Sequence, residues 1–231
     1  MAVSIQLLQH FSVLNDLPSK ALATLADQAI VRSIPRRGII INSGQQEESL
    51  CFLFEGRLQG VDFTLDGREV GLYFVEVGDF CGELGLFDAK GQPESVIALT
   101  RSQVVLIPTS AIRAAMHDSN TMVEQLFTRM AGRVRQLSAQ RTLLGLPSTT
   151  GRVCGQLLMI LQTQTLHSGE EGVILNPPTH QELGIMLSLT RETVTRVFQK
   201  LQTQKIVQRD GSSRLLILKP DALQSLTEAE S

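Results

Sequence analysis

Tryptophan is absent from the 231 residues, and tyrosine occurs once. A chain so poor in flat aromatic side chains offers no stacking platform for single-stranded nucleic acid. Cysteine is nearly as scarce. Cys51, Cys81 and Cys154 are too few and too scattered for a disulfide framework, which points to a reducing compartment. Three cysteines also fall short of the four thiolates of a four-cysteine iron–sulfur cluster. No apolar run approaches the ~18 residues of a membrane span. The first twenty residues have no basic head, continuous apolar stretch or small-residue cleavage site, so the expectation is a cytoplasmic protein with no membrane contact. The four histidines show no metal-ligand spacing. Walker A, G-x-S-x-G and H-E-x-x-H patterns are all missing. The expectation is therefore no enzyme, no catalytic residue and no metal.

What is present is an ordinary globular composition, 42% hydrophobic and 19% charged, long enough for one large domain or two ordinary ones. The net charge of −2 hides an asymmetry. Residues 179–219 carry seven basic and three acidic side chains, so that segment is +4 and the remainder −6. A basic end on an acidic body suggests that one part meets a polyanion.

The texture changes along the chain. Leu7, Leu8, Phe11, Leu14, Leu17, Leu22, Leu25 and Ile30 recur at helical spacing, with Pro18 breaking the segment. Between Val31 and Ile107, short β-rich runs alternate with Gly, and Asp66-Gly67 reads as a hairpin turn. Such a pattern predicts an antiparallel barrel or roll. A helix is predicted over 121–144, where Val123, Phe127, Met130, Val134, Leu137, Arg141 and Leu144 form a heptad seam. That seam suits either an amphipathic helix on its own domain or a homodimer helix. Gly145-Leu146-Pro147-Ser148 ends it, and Ser148 can cap the next helix.

Residues 179–202 are the most informative. Thr179 and Glu182 make a T-x-x-E capping box, and Thr190 can cap a second helix. Val194, Val197, Phe198 and Leu201 form its apolar face; Arg191, Glu192, Thr195, Arg196, Gln199 and Lys200 fill the remainder. Two short capped helices at this spacing predict a helix-turn-helix. An outward Arg can donate to guanine and an outward Glu can accept from cytosine in the major groove of double-stranded DNA. Beyond it, Ile206–Arg209 and Arg214–Leu218 around Asp210-Gly211 predict a wing.

With these residues in place, the chain resembles the cyclic-AMP receptor protein / fumarate–nitrate regulator family of bacterial transcription factors. Gly78-Asp79-Phe80-Cys81-Gly82-Glu83-Leu84-Gly85-Leu86-Phe87 is similar to the family's phosphate-binding cassette, and Thr179–Leu201 to its recognition element. The resemblance implies an α+β chain: a cyclic-nucleotide-binding-like β-roll of the jelly-roll type (1–118), a long dimerisation helix and hinge (119–145) and a winged helix-turn-helix (146–231). It implies a homodimer on a palindromic site. Arg191, Glu192 and Arg196 would read bases, Thr179 and Gln181 would touch the DNA backbone, and Lys200 a phosphate. It also implies RNA polymerase as a partner of the loop 167–172.

The effector is a separate matter. The resemblance assigns Gly82, Glu83, Leu84, Glu94, Ser95, Arg133 and Ser138 to effector binding. Glu94 stands where relatives that bind cyclic AMP have a phosphate-clamping Arg, and a carboxylate repels a phosphate. Cyclic di-GMP is the alternative nucleotide, with Arg133, Arg135 and Arg141 as guanidinium candidates. Two rival readings are an effector-independent regulator of the same fold and a ligand-binding roll with a protein-interaction domain.

Overall fold

A computed structural model describes residues 3–228 apart from 47, 89, 169 and 170, and the side chains of 166–168 are also outside the description. The chain divides into two compact units, 1–133 and 134–231.

In the first unit, three short helices, α1 (Ile5–Leu8), α2 (Ser12–Asn15) and α3 (Ser19–Gln28), precede eight strands. The helical periodicity before Pro18 resolves into two single turns rather than one helix. Ser4 caps the first, and Phe11 turns extended to start the second. The strands are β1 (Ile30–Ile34), β2 (Ile39–Ile41), β3 (Ser49–Glu55), β4 (Leu58–Phe63), β5 (Glu69–Val75), β6 (Phe80–Cys81), β7 (Ser95–Ala98) and β8 (Ser102–Pro108). They form two antiparallel sheets, ordered β1-β8-β3-β6 and β2-β7-β4-β5. Helix α4 (Leu84–Asp88) sits between β6 and β7; α5 (Thr109–His117) and the long α6 (Asn120–Gly145) follow β8.

β3 shows why the apolar run at 50–53 has no polar alternation: both of its faces are buried. Leu50 and Phe52 pack with Phe11, Phe80, Ile112 and the start of α6. Cys51 and Leu53 point the other way, into the core between the two sheets, with Leu58, Tyr73, Val75 and Val96. β8 alternates likewise, Val104 to one core and Val105 and Ile107 to the other. Gly60 is required for a different reason. A Cβ there would lie 2.3 Å from the Tyr73 ring, so a side chain at 60 would force that ring to move.

In the second unit, α7 (Thr149–Ser168) begins beneath the Ser148 side chain, which accepts from the Gly151 N–H. Strands β9 (Val173–Leu175), β10 (Val207–Asp210) and β11 (Arg214–Ile217) form an antiparallel sheet ordered β10-β11-β9. Helices α8 (His180–Leu187) and α9 (Arg191–Thr203) lie between β9 and β10, and α10 (Pro220–Glu228) closes the unit. The α8–α9 turn is tight. Ser188 adopts a left-handed φ of 54°, and the Leu189 N–H bonds back to the Gly184 carbonyl. A Cβ at Gly184 would meet the Leu189 carbonyl oxygen at 2.7 Å.

Because that oxygen is backbone and cannot swing aside, Gly184→Ala is expected to destabilise by about 1–3 kcal/mol, the usual cost of overpacking. A lowered denaturant midpoint at unchanged slope would register it.

Candidate nucleic-acid interface and roll cassette

The helix-turn-helix assembles from its caps. The Thr179 hydroxyl accepts from the Glu182 N–H at 3.2 Å, and the Glu182 carboxylate accepts from the Thr179 N–H at 2.9 Å, closing the capping box. Thr190 accepts from the Thr193 N–H at 3.2 Å and starts α9. Val194, Val197, Phe198 and Leu201 are buried. That burial leaves Arg191, Glu192, Arg196, Gln199 and Lys200 exposed on the opposite side, and Thr179 and Gln181 are exposed at the start of α8. Glu192 lies in the first turn of α9, where its own backbone N–H, the Thr190 hydroxyl and the neighbouring arginines hold its carboxyl below the usual range.

Thr195 differs from its sequence neighbours. It is half-buried; its hydroxyl donates to the Arg191 carbonyl at 2.8 Å and lies 2.9 Å from His180 Nδ1. The hydroxyl has spent its only hydrogen, so Nδ1 is the donor of that second bond. The His180 ring also packs on Phe198, with centroids 4.5 Å apart. His180 therefore joins α8 to α9, a role that a lone histidine in sequence does not announce. Burial, followed by Arg209 and Arg191, lowers its pKa. In the wing, Arg214 pairs loosely with Asp210 at 3.7 Å.

The cassette is arranged differently from its sequence expectation. Gly82, with φ of 89°, turns the chain out of β6, and its carbonyl accepts from the buried Gln92 amide at 2.9 Å. Glu83 is completely buried and Leu84, which opens α4, half-buried. Ser95 accepts from the Ser43 N–H at 3.0 Å. Glu94 is buried beside it.

Arg133 is not a free guanidinium awaiting a ligand. It is buried, donating to Glu83 at 2.5 Å and to Glu94 at 2.9 Å, and it lies 3.8 Å over the Tyr73 ring. The Tyr73 hydroxyl donates to the same Glu94 oxygen at 2.6 Å. Burial works against the Arg133 charge, but Glu83, Tyr73 and Glu94 outweigh it and raise the pKa. One turn earlier, Arg129 pairs with Asp79 at 2.6 Å and faces the Phe80 ring. Burial nevertheless raises the Asp79 carboxyl pKa. The i, i+4 spacing of Arg129 and Arg133 against Asp79 and Glu83 was the available sequence signal for these pairs. Arg135, Arg141 and Ser138 are exposed further along α6.

The heptad seam contains large apolar side chains left in water. Phe127, Val134 and Leu137 are 60%, 64% and 45% exposed, and Phe127 stacks on the exposed Phe87 at 6.0 Å. Cys51 and Cys81 face each other across β3 and β6, fully buried. No group of three or more His, Cys, Asp or Glu among the described residues could hold a metal ion. No helix of the described residues is long and apolar enough to cross a membrane.

Removing one partner of a buried ion pair strands the others, so Arg133→Leu is expected to cost about 3–5 kcal/mol in equilibrium unfolding. Tyr73 supplies a pH signature. Burial, with Cys81 and Glu94, raises its pKa well above that of an ordinary phenol, against the opposing pull of Arg133. A folded-state pKa raised above the unfolded one confers stability that is complete below the ordinary phenol range and is lost as pH rises above it. As tyrosine occurs once in the chain, a phenolate absorbance titration should show no ionisation in that range while the roll is folded.

Residues 31–119 match the cyclic nucleotide-binding domain family, and residues 151–226 match the Crp-like helix-turn-helix domain family. The chain is 27% identical over 185 residues to the cAMP-activated global transcriptional regulator CRP of Pasteurella multocida, covering 79% of this chain and 88% of that one. Its fold is similar to that of FixK2 from Bradyrhizobium japonicum, with TM-score 0.73 and 23% identity over 86% of this chain and 96% of the other. It is also similar to that of CLP, the c-di-GMP responsive global regulator of Xanthomonas campestris, with TM-score 0.65 and 18% identity over 86% and 99% of the two chains. A nucleotide-binding-type roll followed by this helix-turn-helix places the chain in the cyclic-AMP receptor protein / fumarate–nitrate regulator family of DNA-binding transcriptional regulators.

Proposed function

We propose that the chain acts as a homodimeric, sequence-specific regulator that reads double-stranded DNA through the N-terminal half of α9. The observation that carries this reading is the row Arg191, Glu192 and Arg196, exposed on a helix whose other face is fully packed. Arg191 and Arg196 are suited to guanine O6 and N7, and Glu192 to cytosine N4. Thr179, Gln181 and Lys200 are suited to the DNA backbone, where contacts set register rather than sequence. Thr195 holds α9 against His180 and takes a supporting part. The division of labour follows the sequence reading, with 1–118 as the roll, 119–145 as the dimer helix and 146–231 as the DNA-binding part.

The homodimer is supported by the exposed Phe127, Val134 and Leu137, a seam that water alone would leave unsatisfied. Two copies joined along α6 would offer their α9 helices to half-sites about one turn of DNA, ~34 Å, apart. RNA polymerase stays a proposed partner. The loop at 167–172 assigned to it falls largely outside the described residues.

The cyclic nucleotide-binding domain match supports a cyclic nucleotide as a possible effector, but the charge of the cassette works against a cyclic phosphate. The buried guanidinium there is already shared between two carboxylates, and a further anion about 4 Å from either would meet roughly 4 kcal/mol of repulsion at an effective dielectric near 20. The same objection meets cyclic di-GMP, which is named for a neighbour of like fold only. The rival reading favoured by this cluster is a regulator that needs no anionic effector.

Mobility shift against excess random duplex tests the main reading, because selective binding must survive the competitor. Arg191→Ala and Glu192→Ala should each cost about 1–3 kcal/mol on the cognate duplex and relax choice at one position. Lys200→Ala should weaken all duplexes alike and reduce the salt slope by about one. Variants that select as the parent does would remove these residues as readers. Val134→Glu with Leu137→Glu should convert the dimer to monomer in sedimentation; an unchanged dimer would place the interface elsewhere.

A further inference from the structure

The cassette poses a chemical question that family membership does not answer. Two donors, the Arg133 guanidinium from α6 and the Tyr73 hydroxyl from β5, converge on one oxygen of Glu94, at 2.9 and 2.6 Å. Such a convergence is how a protein holds an anion. Its depth is deliberate, since Tyr73 reaches that position only because residue 60 is glycine. Arg133 is further held by Glu83, whose second oxygen is buried and has no hydrogen-bond partner among the described residues. Counting Glu83, Glu94 and Arg133, the cluster already carries one negative charge more than it balances.

We propose that Glu94 is a resident counter-anion: it fills the anion site made by Arg133 and Tyr73, ties the first half of α6 to the sheets without a ligand, and shuts anionic nucleotides out of the roll. This deepens the regulator reading and rests on it only for the DNA measurement below. Glu94 thereby becomes the specificity-determining residue of the cassette, and it acts by occupation as much as by repulsion.

The single tyrosine, in a chain without tryptophan, is a built-in reporter at the site itself. Purified parent protein is titrated with cyclic AMP and, separately, with cyclic di-GMP, following Tyr73 emission and thermal midpoint. Neither signal should change, and selective DNA affinity should be the same with and without either nucleotide. Glu94→Ser empties the site while leaving both donors. It should acquire saturable binding of cyclic AMP or of inorganic phosphate, with a change in Tyr73 emission, and Arg133→Gln added to it should abolish that gain. Glu94→Gln keeps the volume and the acceptor oxygen, so it should fold and still bind neither nucleotide.

Saturable nucleotide binding by the parent with a Tyr73 response would overturn the proposal. A folded Glu94→Ser protein that binds neither cyclic AMP nor phosphate would overturn it equally. If that variant does not fold, the parent and Glu94→Gln titrations decide alone. Absence of selective DNA binding by the parent would sink the regulator reading, and the nucleotide titrations would still judge Glu94.

Discussion

A guanidinium taken out of water must have its charge balanced by the protein that surrounds it, and Arg133 meets that condition three ways. Two carboxylates receive its N–H groups and a phenol ring lies beneath its plane. Burying three charged groups contributes little net stability, because their desolvation offsets most of their attraction. What the arrangement fixes is position. Glu83 comes from the cassette, Glu94 from the bend just before β7, Tyr73 from β5 and Arg133 from α6, and all must be in place for any one to be tolerated in the interior. Arg129 and Asp79 repeat the theme one turn away in a wetter setting. The first turns of α6 are thereby registered against the cassette by hydrogen-bond direction as well as by apolar packing of Met122 and Leu126.

The second unit uses the opposite strategy around its chemistry. The charged side chains of α9 stay in water, and the helix is positioned by an apolar face, two threonine caps and a turn too tight for a side chain at 184. Exposed charges on a rigid, capped helix keep their hydration until a partner displaces it, which suits contact with a polyanion. Thr195 and His180 add a polar link between α8 and α9. The roll pairs Arg133 internally with carboxylates, whereas Arg191, Glu192, Arg196 and Lys200 of the helix-turn-helix stay exposed.

Much of this is legible in the amino-acid sequence alone. The double-faced strand β3 follows from an uninterrupted apolar run, the roll from short β-rich segments punctuated by glycine, and the helix-turn-helix from two capping threonines and an amphipathic period. The segment before Pro18 was less legible, because its helical spacing belongs to two separate turns. The seam on α6 was visible as a period, but the choice between an inward and an outward face was not. The large exposure of Phe127 and Val134 shows that the seam side of α6 is the outward one among the described residues.

The order of residues by itself determined the elements, their caps and the side chains available to meet DNA, because these depend on neighbours within a few positions. Glu94 could be identified from sequence as an acid where relatives carry a base. Only the tertiary structure decided what that acid does. Residues 73, 83, 94 and 133 are far apart along the chain, and their attraction is strong only where folding has excluded water and brought them within hydrogen-bond reach. The same change of environment turned Arg133 from a candidate ligand contact into an internal partner.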